Sequence, residues 1–578
     1  MQPASAFQDD FKSGLTAEGG TERRVKQNLS IRKKKREQRM RSRRMCKTND
    51  GYENLLKQYR QKALLQTDDF DLFCHHLELL RNIVSRCSDE SINNLFRPLF
   101  TNGEDAVVLE RLISLCKTDD KSQQAVVEKV LEICINTTRC EGDNAQVICL
   151  FFMRNGFLDL AVGHLMRYAR GESILTKSMM HDVWGVLVNL VYEDDNIIQL
   201  IWRSALFTEK TFWEFAEKAL KDKDALLAQE LLHLQQVGLR QTVYLPSITL
   251  WRKSVQMFLA FFMGIQEPYA RTTDELRQVI NASIAGLCNA FRFTHNGKVC
   301  HSMAMLLQGQ DDTFPCFTRL YGIFLELSVW YKRYALTWLY YMVSIDVEDK
   351  KQPYIDAIGQ SGFVQLASTQ LLNRDPLVVS DAADLLRVMA SHDEHMIQKM
   401  CDANAYKNAI KALPNVKYEH RAKIVWIMCD SIITLVDHLK FYSMQRAGEP
   451  AKKCIANMQR LTNTGRYGFD LIHVLADVLI TEGSNAEPTL LAPVVRALDL
   501  AMVWNLDHVR DILLEDDRFQ DVIDQLLCQK YPDTHAGDVL REHLLSVNGH
   551  LESAKDDGMD GAWQNEAYQQ GQGNVFSF

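Results

Sequence analysis

Proline and glycine are scarce in this 578-residue chain, at 12 and 28 residues. Both weaken helix interiors, so their scarcity beside plentiful Leu, Ala, Glu, Lys and Met favours helices over sheet, and period-two alternation is correspondingly rare. The 14 cysteines include no C-x-x-C pair, which leaves neither a zinc-cluster spacing nor a disulfide framework and suits a reducing compartment. Long apolar runs are missing too. The longest, residues 255–263, contains Gln256 and falls well short of the roughly 20 residues that cross a bilayer. The first residues are polar and acidic, unlike a secretory leader, so a soluble intracellular protein is expected. No G-x-x-x-x-G-K-[ST], G-x-S-x-G or H-E-x-x-H spacing occurs. His75-His76 and Glu394-His395 lack the accompanying set of ligands that metal binding needs and read as solvated surface histidines. Neither an enzyme nor a cofactor or metal is expected.

What is present begins with a charged arm. Residues 21–44 hold twelve Lys and Arg against two Glu, a net +10 that leaves the remainder of a −8 chain near −18. Its strongest partner is an acidic surface, on another protein or on this chain's own body. Ser30 is a plausible N-cap, and no Gly or Pro interrupts residues 31–45. Arg32 and Arg36, Lys35 and Arg39, and Arg39 and Arg43 are like charges one turn apart, each opposing an isolated helix by a few tenths of a kcal/mol. With only Leu29, Ile31, Met40 and Met45 to bury, the arm is expected to be disordered alone and helical against acid.

The body repeats itself. Gly156-Phe157-Leu158-Asp159-Leu160-Ala161 returns as Gly362-Phe363-Val364-Gln365-Leu366-Ala367, 206 residues on. That is about five units of some 41 residues, within the armadillo and HEAT range, and Asn404-Ala405-Tyr406 begins a weaker copy about one unit later. The expected fold is all-α: a right-handed solenoid of armadillo- or HEAT-type helical repeats, about ten of them, over residues 70–550. Residues 1–50 form the arm and 51–69 a linker or the start of the first helix. Residues 551–578, rich in Gly, Gln and Asp, form a tail expected to be disordered.

The run Leu29-Ser30-Ile31-Arg32-Lys33-Lys34-Lys35-Arg36-Glu37-Gln38, followed by Arg41-Ser42-Arg43-Arg44, resembles the importin-β-binding domain that begins importin-α proteins. Phe11-Lys12 stands where that family makes its first contacts, with Asp9 and Asp10 in place of basic residues. Gly573-Asn574-Val575-Phe576-Ser577-Phe578 is similar to the family's short C-terminal ending. The resemblance implies a nuclear import adaptor shuttling between cytoplasm and nucleus. Importin-β would be bound through Arg32, Lys33, Lys35, Arg36, Arg39, Arg43 and Arg44, and an export receptor by the C-terminal repeats. In the family a Lys-Arg-Arg cluster of the arm also occupies the cargo groove. Here Arg41, Arg43 and Arg44 are the counterparts, with Ser42 where the Lys would be, so weaker self-inhibition is implied.

Importin-α proteins bind basic localisation signals between Trp and Asn residues four apart on successive third helices, Asn holding the peptide main chain and indoles flanking Lys stems. Here that ladder is worn. Asn136 is preceded four residues earlier by Glu132, and Asn289 by Ala285. Trp184 and Asn189 are five apart, about 140° around a helix. Trp251 resembles a third-helix Trp but is followed by Val255; Trp338 is paired with Met342, and Leu385 with Met389. Only Trp426 and Asp430 keep the spacing with a polar partner. Each Trp either faces a ligand or packs between repeats, and each Asn either faces a ligand or satisfies nearby backbone. A second reading is a repeat scaffold that uses the arm only for its own nuclear entry. The arm alone is also compatible with a localisation signal or a phosphate-binding tail. Nucleic acid is a poorer partner, because the rest of the chain is acidic.

Overall fold

The computed structural model describes residues 70–86, 113–116 and 121–556, except 139–142, 194, 242–245, 294–296, 346–351, 446–447, 464–467, 484–485 and 532–533. The basic arm, the linker and most of the tail, including residues 573–578, lie outside the described residues. Within them the secondary structure is helical, with no strand, and no helix is long and apolar enough to cross a membrane. The chain divides into two units, one of residues up to 265 with 273–286, the other of residues 266–272 with those from 287 onward.

The first unit contains α1 (Phe70–Arg86), α2 (Gln124–Thr138), α3 (Asp143–Arg154), α4 (Phe157–Ala169), α5 (Lys177–Glu193), α6 (Asp195–Arg203), α7 (Thr211–Lys221), α8 (Ala225–Gln241) and α9 (Ile248–Gly264), and most of α10 (Asp274–Phe291). Helices α1, α2, α5 and α8 stack each on the next, and shorter helices fill the spaces beside them. The second unit is more regular. After α11 (Gly297–Ala304), α12 (Pro315–Phe324) and α13 (Val329–Val343) come four three-helix repeats. They are α14 (Pro353–Gln360), α15 (Phe363–Gln370) and α16 (Pro376–Ala390); α17 (Glu394–Asp402), α18 (Ala405–Ala412) and α19 (Tyr418–Met444); α20 (Gly448–Thr462), α21 (Leu471–Glu482) and α22 (Pro488–Trp504); and α23 (Leu506–Leu514), α24 (Asp517–Cys528) and α25 (His535–Asp556). The third helices α13, α16, α19, α22 and α25 stack in series. Two short helices and a longer third that stacks on its counterpart is the armadillo-type arrangement. Helix α25 runs to Asp556, six residues into the segment read as tail.

Four of the twelve prolines stand at helix starts, while Pro493 lies inside α22. Pro315, Pro353, Pro376 and Pro488 each occupy the first turn, where a missing N–H removes no helical hydrogen bond. Asp375 caps α16 by accepting from the Leu377 and Val378 amides, and Asp393 caps α17 by accepting from Met396 N at 2.7 Å. Apolar residues at helical spacing then close the layers: on α25, Leu540, Leu544, Val547 and Leu551 are all fully buried while Leu545 stays 62% exposed. Each such buried side chain stabilises the last layer by about 1.5–3 kcal/mol.

The sequence repeat has a backbone cause. Gly156, Gly362 and Asn404 each join a first helix to a second in the left-handed region, with φ of 74°, 85° and 54°. Lys210 and Asp470 make the same corner before α7 and α21. Glycine accepts that conformation freely, and other residues at a cost of about 1–2 kcal/mol. The two corner glycines differ in their surroundings. A Cβ at Gly156 meets nothing within 4 Å, whereas one at Gly362 comes within 2.9 Å of the Tyr321 ring. Gly156→Ala is therefore expected to cost about 1 kcal/mol of backbone strain, and Gly362→Ala more, since Tyr321 must also move. Urea unfolding of the two variants checks this; equal midpoint shifts would contradict it.

Candidate functional site

The third helices of the second unit form a continuous stack, which brings side chains of successive repeats together. On α19, Trp426 and Asp430 lie one turn apart on the half-buried side. Arg387 of α16 crosses to both: its Nε donates to Asp430 Oδ2 at 2.8 Å, and its guanidinium carbon sits 4.5 Å from the centre of the Trp426 ring. The Ser391 hydroxyl donates to the same carboxylate oxygen at 3.5 Å. One turn earlier on α19, Lys423 is paired with Asp384 of α16. The slot between an indole and a carboxylate, suited to a basic side chain, thus already holds an arginine of the chain itself.

The same solution recurs along the stack. Arg333 of α13 donates from Nε to Asp381 Oδ2 of α16 at 2.7 Å and lies 5.2 Å from the Trp330 ring centre. Asp437 of α19 stands 4.0 Å from Arg496 of α22. Asp499 of α22 meets His543 Nδ1 of α25 at 2.7 Å and accepts from the Ser546 hydroxyl at 2.7 Å. Where importin-α-like ladders would offer amides to a peptide, these helices offer carboxylates already matched to cations and donors of the next layer. Arg333 and Asp381 are both buried, so their ion pair offsets part of the cost of taking each charge out of water.

Other residues singled out by sequence are interior. Trp184, Trp251 and Trp338 have no exposed surface. Trp184 packs edge-on against Phe212 and Phe215 of α7, at 5.8 and 5.5 Å, and Trp338 packs 5.9 Å from Phe317. Trp251 lies on α9, the helix after the stacking helix α8, and so is not a third-helix residue. A surface-bound peptide reaches none of these rings. Asn136 donates to the Glu132 carbonyl of its own helix at 2.7 Å, and Asn189 donates to Thr138 Oγ1 at 3.1 Å, tying α5 to α2. Asn289 is 5% exposed on α10. The arm residues Arg32, Lys33, Lys35, Arg36, Arg39, Arg41, Arg43 and Arg44 lie outside the described residues.

A group that the search for Trp and Asn missed is the open side of α13. Trp330, Tyr334, Thr337 and Tyr341 are all half-buried, at helical spacing, with Trp330 and Tyr334 edge-on at 6.5 Å. The signal was present as Trp-x-x-x-Tyr, one turn apart, but with a phenol where an amide was sought. Buried thiols such as Cys116 and Cys401 are pushed up to about 12 by desolvation, the latter with Asp402 adding to the rise, and so are poor nucleophiles near neutral pH. Glu394, His438 and Cys454, where α17, α19 and α20 meet, are the one set of potential metal ligands among the described residues.

No protein-family model matches the chain, and no curated protein matches its sequence. Solved structures do. The crystal structure of an engineered protein, a structural-genomics target, aligns over 87% of this chain and 99% of its own, with a TM-score of 0.59 at 15% identity. That likeness shows a shared fold. A designed armadillo repeat protein aligns over 52% of this chain and 99% of its own, at 13% identity and a TM-score of 0.36. A structure described as a phosphorylation switch controlling the interaction between cadherin and β-catenin aligns over 89% and 99%, at 12% and 0.45.

Breaking the buried pair tests its energetics. Asp381→Ala leaves the Arg333 charge buried without its carboxylate and is expected to cost about 3–5 kcal/mol, whereas replacing both residues by apolar ones of similar size should recover most of that loss. Chemical denaturation of the two variants provides the comparison, and a double variant no better than the single would refute it.

Proposed function

We propose that this chain is a non-enzymatic helical-repeat adaptor of the importin-α kind, with cargo recognition altered from the family's usual form. Its arm would form a helix on importin-β through Arg32, Lys33, Lys35, Arg36, Arg39, Arg43 and Arg44. The stacked third helices would take basic localisation signals of cargo, the C-terminal repeats an export receptor, and the protein would shuttle between cytoplasm and nucleus. The arm's residue pattern supports the first partner. For cargo, the observation that carries the reading is Arg387 held against Trp426 and Asp430. It supports a slot built for a cation, and it means that an incoming Lys or Arg must displace a tethered competitor. Tethered groups compete at effective concentrations up to about millimolar, so cargo affinity here should be low.

A second reading is favoured by the burial of Trp184, Trp251 and Trp338. In it the repeats are a scaffold for folded partners, and the arm serves only the protein's own import.

Two measurements separate them. Importin-β should capture the full chain and lose it when residues 1–50 are removed; capture indifferent to that deletion would overturn the adaptor reading. A fluorescent basic signal peptide should bind the arm-deleted protein, about fivefold or more tighter after Arg387→Ala and weaker after Trp426→Ala, on the magnitude of a cation–aromatic contact plus a charge-assisted hydrogen bond. Peptide binding absent from all three forms would leave the scaffold reading standing.

A further inference from the structure

We propose that Glu394, His438 and Cys454 form a zinc(II) site that clips two successive repeats together. The three come from different helices: Glu394 opens α17, His438 lies on α19, and Cys454 lies on α20 of the next repeat. Their ligand atoms all fall within 4.8 Å of one another, with His438 Nδ1 3.0 Å from Glu394 Oε2. Zinc bonds of about 2.0–2.3 Å at tetrahedral angles put ligand atoms roughly 3.5 Å apart, so the cluster admits the ion with only small movements. Thiolate, imidazole and carboxylate together select zinc over calcium or magnesium, which prefer an all-oxygen shell.

The surroundings call for a cation. Among the described residues no Lys or Arg is paired with Glu394; its oxygens instead accept from the Tyr442 hydroxyl at 3.1 Å and face His438. Asp393 is its neighbour in sequence. Cys454 is fully buried, facing Glu394 and His438. Asn457, one turn beyond Cys454 and also fully buried, donates from Nδ2 to the Glu394 carbonyl at 3.1 Å and so ties α20 to the start of α17. The site therefore gathers a thiol, an imidazole and a carboxylate, all electron donors, from three helices. Zinc binding would replace the thiol proton, which passes to solvent, and leave a fourth position for water. Side-chain exposures of 28% at His438 and 16% at Glu394 give the ion a way in. The proposal stands independently of the adaptor reading.

Cobalt(II) reports such a site directly. Titrated into the chelator-treated full-length protein, one equivalent should develop a thiolate-to-cobalt charge-transfer band with the strong visible bands of a four-coordinate ion, and zinc should abolish both. Cys454→Ser should lose the charge-transfer band, and Cys528→Ser, at an exposed cysteine, should keep it. His438→Asn, at a residue partly open to solvent, should weaken cobalt binding at least tenfold with helical content unchanged by circular dichroism. No charge-transfer band in the wild-type protein, a band that survives Cys454→Ser, or unchanged affinity in His438→Asn would overturn the proposal.

Discussion

Stacking of each third helix on the one before it is the constraint from which the rest follows. A layer of two short helices and one long one cannot enclose its own apolar residues, so a face is closed only when the next layer arrives. That requirement places the large side chains. Trp184, Trp338 and Tyr406 are fully buried because they fill the spaces between helices of these layers, and the indoles that sequence offered as ligand contacts are for the most part packing. It also places the charges. Residues at the edge of the stack are close enough to the neighbouring helix to be matched there, and Arg333, Arg387 and Asp499 all are.

Matching of this kind has two effects that pull in different directions. A buried pair such as Arg333 and Asp381 adds little net stability over an apolar pair of the same size, but it penalises any register in which the two do not meet. A half-exposed arrangement such as Arg387 with Asp430 adds little to stability, since solvent screens it, and acts mainly by occupying the Trp426 face. The edge of the stack is thus specific about its own layers and sparing in what it leaves for outsiders.

Much of the fold was legible in the sequence. Scarce Pro and Gly, the absence of strand alternation and one recurring hexapeptide were enough for helical repeats, because a left-handed corner leaves a visible mark when Gly156 or Gly362 fills it. Where Lys210 or Asp470 turns the same corner, the mark disappears. Repeat spacing misled for a related reason: α17 begins 41 residues after α14, but α20 begins 54 residues after α17 and α23 58 after α20. The site was less legible. Spacing within a helix cannot show which side faces the next layer, so the interior position of Trp338 and Asn189 could not be read from it. The cation over Trp426 comes from a helix 39 residues earlier, and His438 meets Glu394 and Cys454 only through folding.

Helix α19 shows where this chain carries extra length. At 27 residues it extends about 40 Å, against about 22 Å for the 15 residues of α16. Its final turns bear Phe441 and Met444, 50% and 78% exposed. A residue inserted within α16 would rotate everything beyond it by about 100° and swing Arg387 away from Asp430. One inserted after Met444 leaves every stacking face in phase. Growth of the repeats is therefore confined to helix ends and the loops that follow them, and those are the places where a fluorescent reporter or an added peptide could be carried without disturbing the layers.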